Sequence, residues 1–74
     1  MNEVTKALAA NLKRLRGRQG LTQAALSVRS GTRLPGISAI EHGKGNPTLS
    51  TLAALAEALN VSVSDLLREP KARV

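Results

Sequence analysis

No phenylalanine, tyrosine, tryptophan or cysteine occurs in this 74-residue chain. The missing thiols exclude disulfide staples and thiolate metal sites, so the fold must rest on its core alone. The missing aromatics leave no platform on which a single-stranded base could stack, which argues against most RNA-reading and single-strand-reading modules. Imidazole is confined to His42, and acids number five against eleven Lys and Arg. Convergent ligands for a metal or a catalytic site are lacking, so no enzyme activity, cofactor, metal or small-molecule ligand is expected. Apolar runs fall short of the roughly 20 residues of a membrane span, and no signal-peptide pattern opens the chain, so no membrane partner is expected.

What is present is aliphatic and basic. The hydrophobic fraction is 42%, carried by Leu, Ile, Val and Ala with a single Met. That suffices for one small domain, near the lower size limit for a core that holds together alone. The formal charge of +6 favours a polyanionic partner, although charge alone does not separate DNA, RNA and acidic lipid. The cations are clustered: Lys13, Arg14, Arg16 and Arg18 stand together, and Arg29, Arg33 and Lys44 bracket the middle of the chain.

Hydrophobic spacing predicts five short helices and no strands. The first spans about residues 2–18, with Val4, Leu8, Leu12 and Leu15 stacked on one core-facing stripe, and Gly20 ends it. Thr22 is placed to cap a second helix over about 23–29, with Ala25, Leu26 and Ala24 as inward candidates. Its capping box is incomplete, because Ala25 stands where Glu or Gln would reach back. Ser30-Gly31-Thr32 forms a turn, and a third helix follows over about 34–42 with Ile37 and Ile40 inward. Pro35 is tolerated only in a first turn, so Arg33 or Leu34 is the cap. Gly36 weakens that turn: either the backbone there passes close to something, or the helix starts late. After the loop at 43–47, Thr48 caps a fourth helix ending at about Leu59, with Leu49, Leu52, Leu55, Ala56 and Leu59 as its stripe. Asn60 stops it, and Ser62 with Asp65 caps a fifth helix over 63–68 in which Leu66 points inward. Residues 1–70 are read as the domain and 71–74 as a short tail. Two short helices around a glycine turn, in a small basic chain, form the kind of unit that fits a DNA major groove.

The joint pattern resembles the lambda/434 repressor and Cro-like helix-turn-helix family, also called the XRE family. The matching text is Leu12, Leu15 and Arg16, then Gly20-Leu21-Thr22-Gln23, Gly31, and the Ile-Ser-x-Ile-Glu-x-Gly run from Ile37 to Gly43. Asn46-Pro47-Thr48-Leu49, the TLxxLAxALxV run from Thr51 to Val61, and Leu66-Leu67 complete it, so the likeness covers nearly the whole chain. It implies an all-α, five-helix lambda-repressor-like domain whose helices 2 and 3 make the helix-turn-helix. It also implies that Gln23 anchors a helix terminus to the DNA backbone, and that Arg16 pairs with Glu41 while offering its remaining donors to a phosphate. Base contacts fall to Arg33, Leu34, Pro35, Ser38 and Ala39, and further backbone contacts to Lys44, Asn46 and Thr48. Leu34, Pro35 and Ala39 depart from the family's usual polar residues and offer only apolar contact, as to thymine methyls; Arg33 is the candidate for guanine.

The function expected is sequence-specific binding of double-stranded DNA by a small dimeric regulator, a repressor at a pseudo-palindromic operator. An antitoxin with a toxin partner, or a restriction–modification controller protein, would use the same domain, and a protein-interaction module ranks lower. A homodimer is expected because one module reads few bases, with Asn60, Val61, Val63 and Leu67 as its contact; Leu67 is also a candidate for burial within the subunit. The setting implied is the cytoplasm, on the nucleoid, of a prokaryote or its phage.

Overall fold

The computed structural model describes residues 2–69, which form α1 (Glu3–Arg18), α2 (Gln23–Ser30), α3 (Leu34–Glu41), α4 (Leu49–Leu59) and α5 (Val63–Leu67). Pro70 and the expected tail at 71–74 lie outside the described residues. Each helix start but one is closed by a side chain. Asn2 Oδ1 accepts the Thr5 N–H, Thr22 that of Ala25, and Thr48 that of Thr51. Ser62 and Asp65 cap α5 reciprocally, each side chain accepting the other's backbone N–H. Such caps satisfy donors that a helix cannot satisfy internally, and each contributes about 1 kcal/mol. The exception is α3. Its cap is Arg33, which makes no side-chain capping bond, and Pro35 occupies the first turn, where its missing N–H costs nothing.

The helix ends are as specific as the starts. Gly31 closes α2 at φ 75°, a left-handed conformation open to glycine and costly for most other residues. Asn60 closes α4 at φ 58° and, among the described residues, is the non-glycine residue that takes this conformation. His42, expected inside the third helix, is instead its C-cap. Arg68, expected inside the fifth, turns extended after Leu67.

Leu12, Leu26, Ile37, Leu55, Leu59 and Leu66 are wholly buried and form the centre of the core with Leu8, Leu15, Ile40, Leu52 and Ala56. Each large aliphatic side chain so buried contributes about 1.5–3 kcal/mol. Three expected inward residues are exposed instead, and a fourth, Ala25, is only half-buried and outside the core cluster. Val4 is 55% exposed and Leu49 76% exposed, because both sit in the first turn of their helix, beyond what a neighbouring helix covers. The 16 residues of α1 extend about 24 Å, roughly twice the span of α3, which packs beside it. Ala24 is exposed because it lies about 200° around the helix from the buried Leu26.

α1 packs between α3 and α5, α2 sits against α3 and α4, and α4 closes on α5. Two polar side chains fasten this arrangement. Asn11 is 1% exposed, and its amide donates to the carbonyls of Leu66 at 2.8 Å and Arg68 at 2.6 Å. Gln19 donates to the Leu59 carbonyl at 2.7 Å, tying the end of α1 to the end of α4.

Candidate nucleic-acid interface

The turn between α2 and α3 is braced from within. The Ser27 hydroxyl donates to the Thr32 carbonyl at 2.6 Å, and the Thr32 N–H donates to Ser30 Oγ at 3.1 Å. Beyond it, Arg33, Leu34 and Pro35 are exposed together at the start of α3. No hydrogen bond or ion pair among the described residues engages the Arg33 guanidinium, which leaves its fork of donors available. Ser38 and Ala39 lie about one turn further along and are half-buried. The Ala39 carbonyl accepts the Lys44 N–H at 2.8 Å, and a Cβ added to Gly45 would lie 3.5 Å from the Ala39 Cβ. Ala39 therefore sits under the loop that follows α3, on a different edge from Leu34.

That loop bounds a groove of about 520 Å³ whose lining includes Arg33, Gly36, Ala39, Asn46 and Thr51. Lys44, Asn46 and Thr48 are exposed along it. The Thr48 hydroxyl accepts the Thr51 N–H as the α4 cap and lies 3.1 Å from Thr51 Oγ1, while its own O–H is not used by the cap. Gly36 lies inside α3, so the helix does not start late, and a Cβ there would meet only Thr32 Cγ2 at 3.8 Å. Gly36→Ala is therefore expected to raise stability, by up to about 1 kcal/mol in denaturant titration, through the helix propensity of alanine. If the glycine serves to clear the DNA, the same variant will bind its site more weakly.

The other side of α3 ends at a buried carboxylate. Glu41 is 5% exposed and receives three hydrogen bonds. Arg16 grips it two-pronged, Nε to Oε2 at 2.7 Å and Nη2 to Oε1 at 3.0 Å, while Gln23 Nε2 donates to Oε1 at 2.9 Å. Arg16 Nη1 meanwhile donates to the Leu21 carbonyl at 2.7 Å. Burial pushes the Glu41 carboxyl up, but the Arg16 and Gln23 hydrogen bonds and the Arg16 and Lys13 charges outweigh it and hold it below its ordinary value. The hydrogen bond to Glu41 is also the main reason the Arg16 guanidinium is held above its own. One Gln23 N–H is thus tied to Glu41, leaving the other N–H and the amide oxygen available. Sequence reasoning missed this third partner. The available signal was that Gln23 opens α2 while Glu41 closes α3, two ends that a tight turn folds toward α1.

Asn60, Val61, Val63 and Leu67 gather at the α4–α5 corner. Asn60 is exposed, whereas Val61, Val63 and Leu67 are half-buried against the core of their own subunit. Among the described residues no group of His, Asp and Glu could hold a metal ion, and no helix is long and apolar enough to cross a membrane.

The helix-turn-helix family model matches residues 12–66, well over half of the chain. The chain belongs to the XRE-type helix-turn-helix family. It is 42% identical over 65 residues to the uncharacterised HTH-type transcriptional regulator y4dJ of Sinorhizobium fredii, covering 88% of this chain and 84% of that protein. It is 40% identical over 65 residues to Control protein C.SmaI of Serratia marcescens, covering 88% of this chain and 77% of that one. Among solved structures, the hypothetical transcription factor NHTF from Neisseria superposes with a TM-score of 0.87 at 30% identity, over 95% of this chain and 83% of that one. This XRE-type domain is thus a DNA-binding transcriptional regulator by family, with α2 and α3 as its helix-turn-helix.

Proposed function

We propose that this protein is a repressor that occupies a pseudo-palindromic operator as a homodimer, reading bases with the exposed start of α3. The observation that carries the reading is the Arg33–Leu34–Pro35 edge, exposed on a helix whose far end is fixed to α1 and α2 through Glu41. A reading edge must be held still to discriminate bases, and the buried carboxylate supplies that. Arg33 takes a guanine, Leu34 and Pro35 pack against apolar base edges, and Ser38 is a weaker polar reader one turn on. Lys44, Asn46, Gln23 and the remaining Arg16 donors hold phosphates and so set register without reading sequence. Ala39 contributes less to this surface, being half-buried under the loop, whereas Thr48 adds its O–H to the phosphate contacts. The dimer contact is assigned to the α4–α5 corner, with Asn60 outermost. A second reading, as a controller protein, is favoured by the 40% identity to Control protein C.SmaI and would use the same surface.

Selection of bound duplexes from a random pool tests this directly. Two-fold related half-sites, with centres about 34–36 Å apart, are expected. Recovery of one isolated half-site bound by one protomer would remove the dimer. On the selected site, Arg33→Ala is expected to cost about 2 kcal/mol, some thirty-fold in affinity, and to relax preference at one position per half-site. An equal loss on every sequence would reassign Arg33 to a phosphate.

A further inference from the structure

We propose that the cleft between α1 and the end of α3, rimmed by Lys6, Lys13 and His42, seats DNA phosphates flanking the stretch read by α3. This rests on the reading of α3 as the base-reading helix, and it adds a surface that lies outside the helix-turn-helix itself.

The cleft is an open surface hollow of about 290 Å³, lined by Lys6, Ala9, Ala10, Lys13, Glu41, His42 and Gly43. Its floor is alanine and glycine, so no bulky side chain keeps a sugar–phosphate chain from approaching. Its charge has one effective sign. The single carboxylate in the lining is Glu41, which is buried and already paired with Arg16. Lys6 and Lys13 remain as exposed cations, and Lys13 lies close enough to Glu41 to stabilise its ionised form. The two lysines are seven residues apart on one flank of α1, about 10 Å along its axis, with Arg16 three residues further on the same flank. Gln23, Arg16, Lys13 and Lys6 thus form a line leading away from the start of α2.

His42 gives the other wall a fixed shape. Its Nδ1 lies 2.7 Å from the Ser38 carbonyl, which only accepts, so Nδ1 carries the proton and the ring is anchored to α3. Glu41 and His42 are the last residue and the C-cap of α3 itself, so the cleft adjoins the far end of the helix whose start is read as contacting bases. That continuity is why flanking DNA, rather than an acidic protein, is assigned as the occupant.

The test uses two duplexes: the selected site trimmed to its ends, and the same site extended by half a helical turn of arbitrary sequence at each end. The unaltered protein should bind the extended duplex more tightly. For Lys6→Ala/Lys13→Ala, affinity for the extended duplex should fall, with the slope of log K against log salt reduced by about two units per protomer. Affinity for the trimmed duplex should be nearly unchanged. Ala10→Glu, which places a carboxylate in the cleft at an exposed helical position, should show the same selectivity without removing a lysine, and thermal melts will show that each variant folds. Equal losses on both duplexes, or no loss on either, would overturn the cleft while leaving base reading by α3 intact. Failure of the unaltered protein to bind the trimmed site would instead strike at the base-reading assignment.

Discussion

Replacing Glu41 with alanine is expected to destabilise the domain by about 3–4 kcal/mol in urea titration, the largest loss for any single polar side chain in the fold. The magnitude follows from what remains. Arg16 keeps its bond to the Leu21 carbonyl but loses its hydrogen bonds to both carboxylate oxygens with its side chain only 19% exposed, and Gln23 loses its anchor. A domain of this size has only about 0.05–0.15 kcal/mol of stability per residue, so the loss is a large share of the whole. Glu41→Gln keeps the shape and one acceptor oxygen and should cost less, while still weakening DNA binding because Gln23 and Arg16 are no longer aligned. The pH dependence has a definite sign. The Glu41 pKa is lower in the folded than in the unfolded chain, so its contribution is complete above the ordinary value near 4.5 and fades as pH falls through the folded value. The difference between the unaltered protein and Glu41→Gln should shrink over that acid range. A constant difference down to acid unfolding would show that the carboxylate charge adds nothing.

The second large effect is expected at Asn11. Asn11→Leu preserves the volume and removes both N–H donors, stranding the Leu66 and Arg68 carbonyls beneath α1. A buried acceptor left unpaired costs about 1–3 kcal/mol; the Leu66 carbonyl is buried and the Arg68 carbonyl only partly so, and a loss of about 2 kcal/mol is expected from the two together. The damage should concentrate in α5, whose five residues are too few to be helical unaided. Amide exchange resolved by residue should show α5 opening ahead of the other helices. Asn11→Asp, nearly the same shape, turns a carboxylate oxygen toward the same carbonyls and should be at least as damaging. A loss below about 1 kcal/mol in both variants would mean that water replaces the amide at little cost.

Asn11 shows where reading the sequence stopped. Helix number, caps and turns were legible because they depend on local residue types: Thr22, Thr48 and Ser62 before apolar periodic runs, Gly31 and Asn60 after them. The positions that failed, Val4, Ala24 and Leu49, with Ala25 only half-buried, needed knowledge of how far a neighbouring helix extends or which side it covers, which periodicity does not carry. Asn11 falls among apolar and basic residues of α1, and nothing near it in sequence reveals that residues 55 and 57 positions later supply its partners. At the interface, the Arg16–Glu41 pairing came from family resemblance, whereas the Gln23 contact to the same carboxylate needed the spatial meeting of two helix ends. The half-buried state of Ala39 is invisible in the sequence for a similar reason: it is set by the loop folding back over α3.

The shortness of α3 has a consequence for how such a protein changes its target. Eight residues, a glycine in the first turn and no side-chain cap would not hold a helix in isolation, where about 12–15 residues are already marginal. Its order is borrowed from Ile37 and Ile40 in the core and from Glu41 at its end. The residues assigned to bases, Arg33, Leu34, Pro35 and Ser38, are none of these. One helix therefore carries two vocabularies that share no letter. Target preference can drift, or be reprogrammed, by substitution along the exposed edge while the buried edge keeps the domain folded.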